Sequence, residues 1–389
     1  MNRVVPSYIL QQYEQNILQG QITGYILRFC TIATYNIKGI RLKQRRQVID
    51  SMEATATEAY ERMLSMIRNA GGLLFQYEGN CLHALLPEST PVQIAALLAR
   101  INHTISAINS YASPHHGIPD VIRLAVGFGT LSWRIFENPL QFEYVFWSPQ
   151  LDVLRENPGQ PNQPYYSPQA LNRLGWELDA RPGKLAEHPP FPQLPDIPER
   201  KRLGKQHGHH FIHSRFHRLN PAADVRHSVC CCLSLDEPPD GPLEPTIQAL
   251  ELLAVIYDAF LAAIYVRHKR LHAILLFDFP HNKVNKMQRA CRLALEAATR
   301  HKARAACCTG YIFSMAAGKD LWKATFFPGE AITRAQKLLE LARPGEALAD
   351  HKLRNQQHNS FIFTPLKREK VAPRAYRLGM LPGQLLTGQ

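Results

Sequence analysis

Three short segments of this chain return, in the same order, in its second half. "LHALL" at 82–86 returns as "LHAILL" at 271–276, Arg123 and Gly129 return as Arg304 and Gly310, and "NPG" at 157–159 returns as "RPG" at 343–345. The separations are 189, 181 and 186 residues. One match alone is noise, whereas three in order at nearly constant separation predict a duplicated domain. Duplication constrains the fold strongly, because each half must then build the same core from the same sequence of elements.

The first half opens with a strand-like run, "ITGYILRFCTIATY" (22–35), followed by a helical stretch in which Met52, Ala56, Ala59, Met63 and Ile67 recur every three or four positions. "FQYEGNCLHALLP" (75–87) reads as a hairpin around a Gly79-Asn80 turn. Thr90-Pro91 then starts a second helix with Ile94, Leu98, Ile101, Ile105 and Ile108 on one face. A strand "IRLAVGFGTL" (122–131) follows, then "EYVFWSPQLDVLREN" and "PYYSPQAL". The glycines Gly127 and Gly129 lack the spacing and the Lys-Ser/Thr of a phosphate loop, so they read as packing glycines.

The second half repeats the order. It has a strand "HSVCCCLSL" (227–235), an apolar helix near 243–263, a hairpin "AIYVRHKRLHAILLF" (263–277), a helix with Met287, Ala290, Cys291 and Ala294, and a strand "ARAACCTGYIF" (303–313). Strand, helix, hairpin, helix, strand in each half predicts an α+β fold, a mostly antiparallel sheet with helices on one face. Between the halves, Pro-rich "EHPPFPQLPDIPER" gives way to a His- and Arg-rich stretch. The expected domains are therefore 1–185 and 225–366, with a linker at 186–224 and a basic tail at 367–389.

With 45% hydrophobic and 20% charged residues, a chain of 389 residues is expected to bury a core rather than stay disordered. Its formal charge of +13 favours anionic partners: nucleotides, nucleic acid or an acidic membrane surface. Much of the excess lies in "ERKRLGKQHGHHFIHSRFHR" (199–218) and "KREKVAPRAYR" (367–377). These read as solvated segments, with contact to an anionic surface through 199–218 as the functional alternative. His207, His209, His210, His213 and His217 lie there without a Cys or acidic neighbour, which argues for a polar linker over a metal site.

Eight cysteines include the runs Cys230–Cys232 and Cys307–Cys308 but no CxxC spacing, which suits buried thiols in a reducing compartment. No signal sequence opens the chain, and the most apolar stretch (251–266) is short and carries Asp258. A cytoplasmic location is expected.

Several of these motifs resemble the class III nucleotidyl cyclase homology domain, most closely the tandem pair of soluble adenylyl cyclases. "GNCLHALLP" resembles the family's Gly-Asp-Ala-Leu-Leu-Ala-Leu hairpin, and "RHKRLHAILLFDFP" its Asp-Lys-Gly hairpin ending in Phe-Gly-x-Pro. "ATFFPGEAITRAQKLLELARPGEALAD" (324–350) resembles Tyr-Thr-Val-Ile-Gly-Asp-x-Val-Asn-x-Ala-Ala-Arg-Leu followed by Ala-x-Pro-Gly-Glu, the most specific match. Together the matches span roughly 20–180 and 225–352. The resemblance implies a ferredoxin-like core of the cyclase type and two tandem domains forming an intramolecular pseudo-dimer.

Carried over by residue, it also implies that catalytic parts have been lost. The family's first metal-binding Asp falls on Thr31 or a neighbour, and the second falls on Asn80. Two-metal cyclisation needs carboxylates for Mg²⁺ or Mn²⁺, and neither residue carries one. The Asn and Arg that steady the transition state fall on Thr333 and Lys337, and Lys337 lacks the planar fork of arginine. Lys269 falls on the purine-contacting Lys, His268 on the Asp before it, and Phe326 on a purine-side polar position, where it can stack but cannot read a hydrogen-bonding edge. In the first half Asp152 and Arg155 lie in register with the corresponding stretch, with Ser148 at its glycine.

The expected protein is a degenerate cyclase-homology module that binds a purine nucleotide and regulates or scaffolds, with a protein partner. A divergent adenylyl cyclase is the first alternative, with Glu78 and Asp152 as replacement carboxylates and Mg²⁺ or Mn²⁺ as cofactor. Attachment to nucleic acid or an anionic membrane through the basic linker is the second. Without the resemblance, Gly79-Asn80 is simply a good hairpin turn.

Overall fold

The computed structural model describes residues 7–33, 61–87, 90–115, 120–137, 142–176, 224–236, 241–279, 284–317, 324–327, 329–366 and 375–381. The chain divides into two compact units, Met1–Ala223 with Ser314–Phe326, and Asp224–Phe313 with Phe327–Gln389. The His-rich segment and the basic stretch at 199–218 lie outside the described residues, as do 367–374. Among the described residues no helix is long and apolar enough to cross a membrane.

In the first unit, α1 (Ser7–Glu14) precedes β1 (Gln19–Ala33), and residues 61–69 form α2. Then come β2 (Leu73–Glu78), β3 (Cys81–Pro87), α3 (Pro91–His115), β4 (Asp120–Glu137), β5 (Phe142–Trp147), α4 (Pro149–Glu156), β6 (Tyr165–Tyr166) and α5 (Pro168–Leu174). The strands lie in the order β2-β3-β1-β4-β5, with β6 parallel to β4 and the other pairings antiparallel.

Local chemistry explains the boundaries. Gly79 takes φ +59 in the two-residue β2–β3 turn, which a Cβ would disfavour. Ser148 and Ser167 accept the Gln150 and Ala170 N–H groups and so cap α4 and α5, each of which starts with Pro. Leu151 and Leu154 of α4 are fully buried beside Ile26, Leu85 and Ala125. Each such leucine contributes roughly 1.5–3 kcal/mol, which seats α4 on this sheet face.

From Asp224 onward the order is β7 (Asp224–Leu235), α6 (Leu243–Ile256), β8 (Phe260–Arg267), β9 (Arg270–Phe277), α7 (Lys286–His301), β10 (Arg304–Ala317), β11 (Ala324–Phe326), α8 (Glu330–Leu339), β12 (Ala347–Asp350), α9 (His351–Gln357), β13 (Ile362–Pro365) and β14 (Ala375–Gly379). The sheet runs β13-β14-β12-β10-β7-β9-β8, with β11 on β10 and β12 parallel to β10. The segment β8-β9-β7-β10 thus repeats β2-β3-β1-β4, and the parallel β12 repeats β6.

Two expectations change. The helix expected near 243–263 ends at Ile256, and its apolar run continues as β8 after a turn in which Asp258 takes φ +50. No Gly or Pro marks that stop, so the apolar run hides it. Part of the segment read as a tail, 367–389, is β14, paired with β12 and β13 through buried Ala375 and Leu378. The cysteine runs lie on the adjacent central strands β7 and β10, all fully or almost fully buried. Burial pushes the Cys230, Cys291 and Cys308 thiols up.

The turns before the two parallel strands correspond closely. Gly159 takes φ +77 and Gly345 φ +76, so both favour glycine. A Cβ on Gly159 would lie 2.6 Å from the Leu124 carbonyl, whereas on Gly345 its nearest contact is 3.7 Å away. Gly345→Ala should therefore cost only the conformational penalty of about 1 kcal/mol, and Gly159→Ala about 2–3 kcal/mol. Urea denaturation of the two variants checks the ranking; equal losses would contradict it.

Candidate functional site

One face of the first sheet carries two polar rows in an otherwise apolar setting. Register places Gln76, His83, Arg28 and Ala125 side by side on β2, β3, β1 and β4, and Glu78, Cys81, Cys30 and Arg123 in the next row. Thr31 follows Cys30 on β1 and Asn80 precedes Cys81 in the turn, so the positions assigned to the two lost metal ligands are each one residue from the Cys30–Cys81 pair.

Arg155 of α4 closes the strip from above. Its Nε is 3.0 Å from Glu78 Oε2 and its Nη1 2.6 Å from Asp152 Oδ1, with Arg155 and Glu78 side chains only 3% and 6% exposed. Both carboxylates offered as replacement metal ligands are thus held by one guanidinium. A divalent ion would have to displace that cation, so the residues present do not fit Mg²⁺ or Mn²⁺. Among the described residues, no group of three or more His, Cys, Asp or Glu side chains could hold a metal.

The rest of the strip is tuned by the same charges. Burial, then Arg155 and Arg28, hold the His83 imidazole well below its usual range, so it is neutral 3.8 Å from Glu78. Arg28 Nη2 donates to Cys81 Sγ at 3.0 Å. The hydrogen bond from Cys81, with the Arg28 and Arg123 charges, brings the Cys30 thiol down to about 6 despite burial.

The same rows in the second unit keep the histidine and change its neighbours. Tyr265, His272 and Ser234 stand where Gln76, His83 and Arg28 stand, and Arg267 and Arg270 take the places of Glu78 and Cys81. Asp236, just past β7, holds Arg270 at 2.7 Å and Arg304 at 3.4 Å. The hairpin-to-helix ion pair persists with its polarity reversed: Arg267 Nη1 meets Glu340 Oε1 at 3.0 Å, where the first unit has Glu78 and Arg155.

Here the strip is open. A cavity of about 500 Å³ lies between the sheet and the end of α8, lined by Arg267, Arg270, Arg304 and Arg343 with His268 and His272. Glu340 also lines it, and with nearby Asp236 it balances only half of the four guanidinium charges. Tyr265 stacks on His272 with ring centroids 5.2 Å apart, and Gln336 Nε2 donates to the Tyr265 hydroxyl at 3.3 Å. The volume is that of a small-ligand pocket, and guanidinium forks suit phosphate oxygens.

The sequence-derived residues are distributed as follows. His268 lines the cavity, and Lys269 is beside it in the two-residue β8–β9 turn, exposed. Both take positive φ, +50 and +58. Thr333 and Lys337 are on α8 outside the lining; Thr333 Oγ1 donates to the Gly329 carbonyl at 3.3 Å, and Lys337 is exposed in the last turn. Phe326 is on β11, its backbone paired with Met315. Asp152 and Arg155 do come together, with Glu78.

Sequence reasoning passed over Arg28, Cys30, Cys81 and His83 as site residues, and Arg267, Arg270, His272, Arg304 and Arg343 as well. A signal was present: polar residues two apart, as in "RFC", "CLH" and "RLH", share one face of a strand.

No protein-family model and no curated protein matches the sequence. Among solved structures, a class III adenylyl cyclase-like ATP-binding protein from Pseudomonas aeruginosa aligns over 87% of this chain and 85% of its own, at 10% identity and TM-score 0.56. The fold is that of class III cyclases. An adenylyl cyclase from the same bacterium covers 42% of this chain and 99% of its own, at 12% identity and TM-score 0.36. A guanylate cyclase domain from Catenaria anguillulae, in complex with GTP, covers 40% and 98%, at 14% identity and TM-score 0.35.

Proposed function

We propose that this protein is a degenerate tandem cyclase-homology module that binds a purine nucleotide without cyclising it. Its halves, 1–185 and 225–366, act as an intramolecular pseudo-dimer in the cytoplasm and pass the nucleotide state to a protein partner. The observation that carries this reading is the capture of Glu78 and Asp152 by Arg155, next to Thr31 and Asn80. Cyclisation needs carboxylates free for two metal ions, and this strip offers none.

Binding is supported from two sides. The arginine-lined cavity of the second unit is suited to phosphates and lies beside His268 and Lys269. The relative that aligns along both chains is described as an ATP-binding protein, and the same ligand class is proposed here.

The test is equilibrium binding of ATP and GTP, with Mg²⁺, Mn²⁺ or neither, alongside mass spectrometry for cyclic products. Saturable binding is expected, weakened at least tenfold by Arg267→Ala with Arg304→Ala, with no cyclic product. Cyclic nucleotide that disappears in Lys269→Ala would establish the divergent-cyclase alternative. No binding of either nucleotide would overturn the proposal.

A further inference from the structure

Seven of the eight cysteines are buried, and Cys30 alone is partly exposed. It faces Cys81 directly across the antiparallel β1–β3 pair. Directly opposed residues in such a pair have Cα atoms about 4.5 or 5.5 Å apart. Disulfides span about 4.4–6.8 Å, so a bond could close here without moving either strand. The Arg28 guanidinium contacts Cys81 Sγ at 3.0 Å, and Arg123 neighbours Cys30 on β4. Cationic, partly exposed surroundings are those in which cysteines react.

We propose that Cys30 and Cys81 are a redox-modification site that a peroxide converts to a disulfide. The Cys30 sulfur attacks the peroxide O–O bond; an S–O bond forms, the O–O bond breaks, and the departing oxygen leaves as water after taking a proton. Cys81 then gives up its proton and attacks the Cys30 sulfenic acid. The S–S bond forms, the S–O bond breaks, and a second water leaves. Two electrons from the thiol pair have reduced one hydrogen peroxide to two waters.

Other cysteines provide the contrast. Cys231 and Cys307 also touch across neighbouring strands, but both are fully buried, which keeps peroxide from their sulfurs. At the positions equivalent to Cys30 and Cys81 the second unit holds Asp236 and Arg270, joined at 2.7 Å. The two sheets are clasped at the same place, by a permanent ion pair in one and by a bond that depends on oxidation in the other. The disulfide would fix β1 to its hairpin one residue from Thr31 and Asn80. This inference stands independently of nucleotide binding.

The experiment treats the reduced full-length chain with hydrogen peroxide under native conditions, denatures it in an alkylating agent, and maps peptides without reductant. Expected is a peptide pair joined through Cys30 and Cys81, two hydrogen atoms lighter than the free peptides and separated by dithiothreitol. Six of the eight cysteines, the remainder after two are joined, should be alkylated. In Cys81→Ser, Cys30 should stop at the sulfenic acid and be trapped by dimedone. The wild-type map decides alone if that variant does not fold. Absence of the linked pair overturns the proposal, whether Cys30 stays a thiol or proceeds to sulfinic acid, as does a bond between other cysteines in its place.

Discussion

Arg155→Met is expected to destabilise the first unit by about 3–5 kcal/mol, because removing one partner of a buried ion pair strands the other. Glu78 is the stranded group: its side chain is 6% exposed, and Arg155 Nε lies 3.0 Å from its carboxylate. The second variant, Glu78→Gln with Arg155→Met, should recover most of the loss, since a neutral amide costs far less to bury than an unpaired carboxylate. Urea unfolding of wild type, single and double variants forms the comparison. A single-variant loss below about 1 kcal/mol would be the behaviour of a solvated pair and would contradict the buried geometry in which Arg155 holds Glu78.

Arg334→Met should have a comparable effect in the second unit, about 3–5 kcal/mol at neutral pH. Asp350 is fully buried and caps α9, accepting the Leu353 N–H at 2.9 Å; Arg334 Nη2 lies 3.0 Å from its other oxygen and also donates to the Thr309 carbonyl. Burial pushes this carboxyl above its usual range, while the Leu353 N–H and Arg334 pull it back. Without Arg334 the carboxyl rises further. An acid whose pKa is higher folded than unfolded favours the folded state while protonated, and that stability is lost as pH rises through the folded value. The penalty of Arg334→Met should therefore be largest at neutral pH and shrink in acid. A penalty independent of pH would mean that Arg334 acts by packing alone.

Arg334 also illustrates what a sequence conceals. It sits one residue from Thr333, where the resemblance directs attention, yet its partner is sixteen residues further along the chain and is recognisable only once β12 is in place. The order of elements was legible, because periodicity two or four residues apart is local, and Thr90-Pro91 and Gly79-Asn80 mark their own boundaries. The stop of α6 at Ile256 was not, because residues apolar enough for a buried helix are equally apolar enough for a buried strand. His268 was legible in the second unit's cavity, and the first unit's strip was legible at its ends, Asn80, Asp152 and Arg155, where motifs exist. Its middle, Arg28, His83, Cys30 and Cys81, is assembled by strand register, which no single strand encodes.

The β8–β9 turn has a practical consequence. It bends through His268 and Lys269, both in the left-handed region at roughly 1–2 kcal/mol each, where Asn-Gly would sit without strain. An engineer seeking a more heat-resistant version of this protein would begin there. The exchange would also take an imidazole from the rim of the cavity, so the resistant variant would report, by whatever ligand it no longer held, what the strained turn had been keeping in place.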